Sequence, residues 1–325
     1  MKKYLFLLLV VFILASSSFV LAAEQLVLHF AIHTAPQTEA HLAAIRFKEL
    51  VEERSNGGIS VMLFPGAALG GEKDNIEQLK TGEVALAIFG DILPSLLAPE
   101  VSPTVIPFIY PNVEEVFVAW ESKLGDLMKE KIMERGNMMV VGLQRRGARH
   151  LTASKLVKTP ADLKGLKLRV PEIPTWVTLW KAVGAQPTPV AWPEVYSALQ
   201  TGVVDGQENP YSNIYAAKLY EVQDYVMETG HLQNVFHWAL SLPVYRKLTP
   251  YQQLIVLTSA KDAAAYGDKI TQDMLSEFQA KVVAEGMEIT QVDKALFRAK
   301  ARTVIEEMAK NNWDPRVWEY IKKYF

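Results

Sequence analysis

The sequence predicts an α/β fold in two similar lobes, and three observations carry that expectation. Early in the chain, short β-prone runs alternate with an amphipathic helix, the grammar of a βαβ unit with parallel pairing. One phrase then occurs twice, as LKTGEVALAIFG from Leu79 and as LQTGVVDGQENP from Leu199, 120 residues apart. In each copy an apolar-periodic segment meets Thr-Gly and a β-prone run follows, as when a glycine stops a helix and a strand begins. Finally, 325 residues suffice for two domains.

The first element is a targeting segment. Lys2 and Lys3 precede an apolar run from Tyr4 to Ala15, and Val20-Leu21-Ala22 offers small residues for cleavage, so residues 1–22 read as a signal peptide cut after Ala22. The run falls short of the roughly 20 residues of a membrane span. No cysteine follows it to carry a lipid. The mature protein is expected to be free, in the periplasm or an equivalent extracytoplasmic space.

Leu26 to Ile32 is β-prone. Glu39 to Arg54 repeats Leu42, Ile45, Leu50 and Val51 at helical spacing and ends at Asn56-Gly57-Gly58, after which Ile59 to Phe64 reads as a strand stopped by Pro65-Gly66. A helix from Gly70-Gly71-Glu72 to about Lys80 and a strand over Ala85 to Phe89 follow. The second half repeats the grammar: strand Leu166 to Val170, helix Thr175 to Val183 ended by Gly184, helix from Trp192-Pro193-Glu194 to Gly202, strand Val203 to Gly206. From Pro250 the pattern becomes long helices, Tyr251 to Ala284 and Asp293 to Ala309, around a short strand at Glu288 to Val292. No flexible linker separates the lobes, which are therefore expected to exchange strands directly and form a stiff hinge.

Composition excludes several functions. The chain has no cysteine, hence neither disulfides nor thiolate metal sites. Its net charge of −2, with signs interspersed, leaves no footprint for nucleic acid or an anionic membrane. The six histidines form no HExxH or close metal pair, so no metal or cofactor is expected. There is no GxSxG elbow and no GxGxxG, and GAALGG at Gly66 to Gly71 lacks the Lys-Ser ending of a phosphate loop. Nothing nominates an enzyme.

The segments GLKLRVPEIPTW from Gly165, PTPVAWPEVYSALQTGVVDGQENP from Pro187 and YEVQDYVMETGH from Tyr220 closely resemble the solute-binding proteins of TRAP transporters, the DctP-like family. The resemblance runs from LHFAIHTAP near the start of the mature chain to LTPYQQ at Leu248 to Gln253. It implies a two-lobed, periplasmic-binding-protein-like fold with a cleft between lobes and long C-terminal helices. Lobe I would comprise residues 23–146 with about 235–274, and lobe II residues 147–234 with about 275–325. It further implies capture of an organic acid by an arginine–carboxylate salt bridge and delivery to membrane permease subunits. The alternatives are presentation of the ligand to a sensor kinase and an exported enzyme on the same fold; monomer and dimer both stay open.

The resemblance also assigns residues. Arg169, in the strand Leu-Lys-Leu-Arg-Val, corresponds to the family arginine that binds the ligand carboxylate, a role suited to the paired N–H donors of a guanidinium. Arg149 corresponds to a second arginine approaching the same carboxylate, with Arg145, Arg146 and Lys73 as spare cations for a second acidic group. Asn209 corresponds to the asparagine that bonds the ligand nearby, and Glu208 is expected to hold an arginine. From position alone, His33, Glu72 and Asp91 stand at ends of strands or starts of helices, where open α/β sheets bind ligands. The two carboxylates would accept hydroxyl hydrogens, favouring a sugar acid or hydroxy acid over a plain apolar acid, with a dicarboxylate also open. Trp192 and Phe236, with Trp176 and Trp180, would shape the pocket.

Overall fold

A computed structural model describes residues 25–325, so the expected signal peptide lies outside the described residues. The βαβ unit opens the fold: β1 (Leu26–Ile32), α1 (Glu39–Arg54) and β2 (Ile59–Phe64), with β1 and β2 parallel. Ala40, Ala43, Ala44, Phe47, Leu50 and Val51 recur on one face of α1 and are buried. Next, α2 (Glu72–Thr81) ends on Gly82, whose φ of 83° is left-handed, and β3 (Leu86–Phe89) pairs parallel to β1. Three helices, α3 (Ile92–Leu97), α4 (Val113–Glu121) and α5 (Lys123–Gly136), lead into the long strand β4 (Met138–Ala153).

The second half supplies β5 (Lys167–Val170), α6 (Pro174–Val183), β6 (Gln186–Pro189), α7 (Val195–Gln200), β7 (Gly206–Asn209) and α8 (Tyr211–Ala216). The chain then crosses back in β8 (Tyr225–Ser241) and closes with α9 (Leu242–Tyr245), α10 (Pro250–Ala284), β9 (Glu288–Thr290), α11 (Lys294–Asn311) and α12 (Pro315–Ile321). Among the described residues, no helix is long and apolar enough to cross a membrane.

Strand order explains the repeated phrase. The sheet runs β2-β1-β3-β8-β4-β7-β5-β6, with β9 beside β8. Each half has a parallel triplet, β2-β1-β3 and β6-β5-β7, flanked by an antiparallel long strand, β8 or β4. The two Thr-Gly stops, with Gly82 at φ 83° and Gly202 at φ 71°, precede β3 and β7, which occupy equivalent places. The halves join through β4 and β8, which pair from Met138–Ser241 to Ala153–Tyr225 with register shifts at Val140/Gly142, Arg145/Gly147 and Arg149/Leu151.

Two expectations need correction. The strand expected over Val203 to Gly206 lies instead at Gly206–Asn209, where it pairs with Ala153 to His150. Asp205 pins the turn before it, its amide donating to Lys167 O at 2.8 Å and its carboxylate accepting from Lys167 N at 3.0 Å, while Val203 is exposed. The helix expected from Trp192 begins as a 3-10 turn and becomes α-helical only at Val195.

One helix spans the molecule. α10 packs along α1, then β4, then α8. Close approach to β4 depends on Gly267, where a Cβ would lie 2.3 Å from the Gln144 side chain. Gln144 cannot easily move, since its Nε2 donates to Glu39 O at 3.2 Å and its Oε1 accepts from Trp238 Nε1 at 3.1 Å. At the C-terminus, α12 reaches α5 and Asp314 N donates to Glu100 O at 2.8 Å. Gly267→Ala is therefore expected to cost about 1–3 kcal/mol of stability through overpacking, against a helix-propensity gain of about 1 kcal/mol. A urea-denaturation midpoint at or above the parent value would refute the close-approach argument.

Candidate ligand-binding site

Three arginines converge where the sheet halves meet. Arg146 and Arg149 are on β4 and Arg169 is on β5, and each is at most 5% exposed. In a regular strand, residues three apart face opposite ways, but the register shift beside Gly147, at φ 88°, turns both β4 arginines to one cavity.

Arg149 is already neutralised. Its Nε donates to Glu208 Oε2 at 2.6 Å and its Nη2 to Glu208 Oε1 at 2.8 Å and to Glu208 O at 2.7 Å. His231 Nε2 lies 2.9 Å from Glu208 Oε2, and the Trp176 ring backs the guanidinium at 5.2 Å. Burial alone would raise the Glu208 pKa, but the Arg149 charge and the hydrogen bonds from His231 and Arg149 outweigh it and hold the carboxyl at about 2. Glu208 thus holds an arginine, as expected from the sequence.

Arg146 and Arg169 have no carboxylate within 4.0 Å among the described residues. Arg146 donates to Asn213 Oδ1 at 3.3 Å and lies over the Phe236 ring at 4.6 Å, while Arg169 gives its Nε and Nη2 hydrogens to Val190 O at 2.9 and 2.7 Å beside the Trp192 ring at 5.8 Å. Burial lowers each to about 10, so both remain cations at neutral pH. Unpaired charge in a buried site is costly, and an anion relieves that cost.

Acceptors stand opposite. Glu72 opens α2, but Asp74 takes the capping role there, its Oδ2 accepting from Gly71 N at 2.8 Å, so Glu72 Oε1 instead accepts from Gly90 N at 2.6 Å. Asp91 Oδ1 accepts from Asn234 Nδ2 at 2.6 Å and its Oδ2 lies 3.7 Å from Arg149 Nη1; burial raises its pKa to about 6 over the lowering by Arg149 and Arg146. His33 Nδ1 is 2.9 Å from Ile88 O, which can only accept, so Nδ1 carries the proton and Nε2 offers a lone pair.

The orientation of Asn209 follows from a chain of hydrogen bonds. Gln223 Nε2 donates to two carbonyls, Val222 O at 2.7 Å and Asp205 O at 3.3 Å, so its Oε1 must accept from Thr152 Oγ1 at 3.1 Å. Thr152 then accepts from Gln207 Nε2 at 2.9 Å, and Gln207 Oε1 from Asn209 Nδ2 at 2.6 Å. Every amide in the chain is fixed.

Arg146, Arg149, Arg169, His33, Glu72, Asp91, Asn209 and Trp192 all line one cavity of about 20 Å³. Through Glu72, Ile92, Arg169, Pro171 and Trp192 it opens into a mouth of about 270 Å³. Lys73 and Glu172 meet at that mouth, Nζ to Oε1 at 2.7 Å. Arg145 is absent from this cavity and pairs with Glu114 at 2.7 Å. Phe236, Trp176 and Trp180 are buried behind the arginines and His231 and are absent from the cavity wall. Sequence reasoning missed Pro171, Ile92 and Ile173 in the wall, of which only Pro171, ending β5, left a signal.

The arrangement can hold an anion at the arginine end and hydroxyl hydrogens at the acceptor end. Comparison with known proteins agrees with that chemistry. The sequence matches the family described as bacterial extracellular solute-binding protein, family 7 (DctP) over residues 30–312. A solute-binding protein of Roseobacter denitrificans is 35% identical over 84% of this chain and 84% of its own length. The 2,3-diketo-L-gulonate-binding periplasmic protein of Escherichia coli is 30% identical, covering 90% and 89%. Among solved structures, a TRAP periplasmic solute-binding protein of Roseobacter denitrificans with bound L-galactonate superposes with a TM-score of 0.87 at 31% identity, over 94% of this chain and 100% of that one. One from Polaromonas with D-erythronate gives 0.85 at 27% identity, over 91% and 98%.

Because Glu208 is held at about 2, below its ordinary 4.5, its stabilising contribution is complete above pH 4.5 and is lost as pH falls toward 2. Glu208→Gln leaves buried Arg149 with Asp91, 3.7 Å away, as its one remaining carboxylate among the described residues, for an expected loss of about 3 kcal/mol at pH 7. The gap between variant and parent should shrink at pH 3 in urea melts. An equal gap at both pH values would assign the stabilisation to another group.

Proposed function

This chain belongs to bacterial extracellular solute-binding protein family 7, the TRAP receptors, and from that premise we propose that it captures a hydroxylated sugar acid between two lobes and delivers it to a membrane permease. Proteins of this family are solute receptors rather than enzymes, and they are periplasmic. The observation that carries the reading is Arg169: buried, charged at neutral pH, and without a carboxylate partner.

Val190 O occupies the Nε edge of the Arg169 guanidinium. The remaining Nη1 and Nη2 hydrogens form a fork that fits the two oxygens of a ligand carboxylate. Asn209 adds its second amide hydrogen beside them. Arg149, committed to Glu208, contributes field and shape more than a new ion pair, and Arg146 provides the second free cation. Glu72, Asp91 and His33 accept hydrogens from the ligand hydroxyls, and Trp192 forms an apolar wall. The galactonate- and erythronate-bound neighbours support this ligand class over a plain apolar acid.

The two halves of the sheet support lobes divided as residues 23–146 with 235–274 and residues 147–234 with 275–325. Closure bends β4 and β8 at their register shifts. Residues 1–22 direct export and are removed after Ala22.

Isothermal titration with D-glucuronate, L-galactonate and D-erythronate tests the proposal. Arg169→Ala should weaken binding by about 2–5 kcal/mol, a factor of at least thirty, with an unchanged circular dichroism spectrum. Arg169→Lys should lose most of that affinity too, because an ammonium cannot reproduce the fork. Undiminished affinity in Arg169→Ala would move the carboxylate elsewhere, and silence of the parent protein toward every acid would reject the sugar-acid reading.

A further inference from the structure

Behind the sheet, on the far side of Arg146, lies a second and more apolar cavity of about 230 Å³. Val113, Ala148, Tyr211, Met274, Leu275 and Phe278 supply its apolar wall, and Glu39, Arg145 and Arg146 its polar end. We propose that this cavity is a second ligand site, which takes a small monocarboxylic acid with an apolar body, a single ring or a short alkyl chain.

Three observations carry the proposal. The first is size. An apolar cavity of about 150 Å³ binds benzene, so this one accommodates a ring with a carboxylate attached.

The second is a concentration of unmet hydrogen-bonding capacity. Glu39 Oε2, Arg145 Nε and Arg146 Nε are buried side-chain atoms without partners, and all three belong to residues of this one wall. Glu39 is 1% and Arg146 5% exposed. Leaving such groups unpaired is expensive, and native structures rarely cluster them without a ligand-related reason.

The third is their shared sign. Both guanidinium atoms are donors. Burial raises the Glu39 pKa against the Ser212 hydrogen bond and the Arg146 charge, so the carboxyl keeps its proton more readily than an ordinary glutamate. Its Oε1 accepts the Ser212 hydroxyl at 2.9 Å. Two arginines in the wall of an otherwise apolar cavity match a carboxylate head on an apolar body. A sugar acid is a poor fit, because its hydroxyls would lie stranded against Val113, Leu275 and Phe278.

The location gives the site leverage. Arg145 to Ala148 form the bent part of β4, Pro210 to Ser212 follow β7 directly, and Thr271 to Phe278 belong to α10, so the walls come from both halves of the sheet. Arg146 lines this cavity and the cleft alike.

Saturation-transfer NMR and calorimetry with sodium benzoate and sodium octanoate, on the mature full chain, test the proposal. One site per chain is expected, with equal affinity in the parent and in Arg169→Ala. Leu275→Trp fills the cavity from a position that is 43% exposed, and Arg145→Gln removes one donor; each should weaken the probe at least tenfold while thermal melts show a folded chain. No saturable binding of either probe would overturn the proposal. So would binding that Arg169→Ala abolishes and Leu275→Trp spares, since the acid would then occupy the cleft. Neither result depends on whether the cleft takes sugar acids, which the glucuronate titrations decide separately.

Discussion

The antiparallel ladder between β4 and β8 is the constraint on which the rest of the molecule depends. Both strands run through both halves of the sheet, and their backbone bonds cannot open without exposing donors and acceptors that have no other partner. Any relative motion of the halves is therefore confined to twisting and bending at the register shifts, where one extra β4 residue, Val141 or Arg146, or the longer β8 stretch from Glu228 to His231 interrupts the pairing. Arg146 and Arg149 are anchored at those interruptions. In the proposed closure, the segment that bends is also the segment that carries charge into the cleft.

The charge is distributed unevenly, and under the proposed function that unevenness serves binding. Arg149 is held by Glu208 and His231 on one side and by Trp176 on another, a cost of desolvation that the protein settles internally. Arg146 and Arg169 are desolvated with only neutral partners, an asparagine oxygen and a backbone carbonyl. In folding terms this is a liability. In binding terms it is preorganisation: donors are fixed and dry before an anion arrives, so little of the electrostatic attraction is spent on rearranging them.

Much of the fold was legible in the sequence where turn residues bound an element or a helix face repeats. β1 and β2 fall on their expected bounds because Pro36, Asn56-Gly57-Gly58 and Pro65-Gly66 punctuate short β-prone runs, and α1 because its apolar residues recur at helical spacing. β4 and β8, with α4 and α5, were not anticipated. β4 carries RRGAR with Arg146 and Arg149 buried, and β8 is buried along nearly its whole length, so neither shows an alternating face. β7 was displaced for a related reason: the exposed Val203 before it looks like strand, while its own buried Gln207, Glu208 and Asn209 look like loop. The arginine and asparagine assignments came from resemblance to a family, not from spacing. The choice of Arg146 over Arg145 as the cavity-facing cation needed the bulge beside Gly147, which no periodicity reveals.

The chain of amides behind Asn209 has a consequence for how such a receptor changes its preferences. Val222 and Asp205 carbonyls, remote from the cleft, set the direction of every hydrogen bond from Gln223 through Thr152 and Gln207 to Asn209. Asn209 therefore cannot rotate its amide to suit whichever ligand enters; its polarity is dictated from the opposite end of a buried wire. A lineage could invert that polarity, and with it the atom a ligand must present, by a single change at Gln223 that never touches the ligand. Under the proposed function, selectivity is set partly by residues that no inventory of the cleft would include.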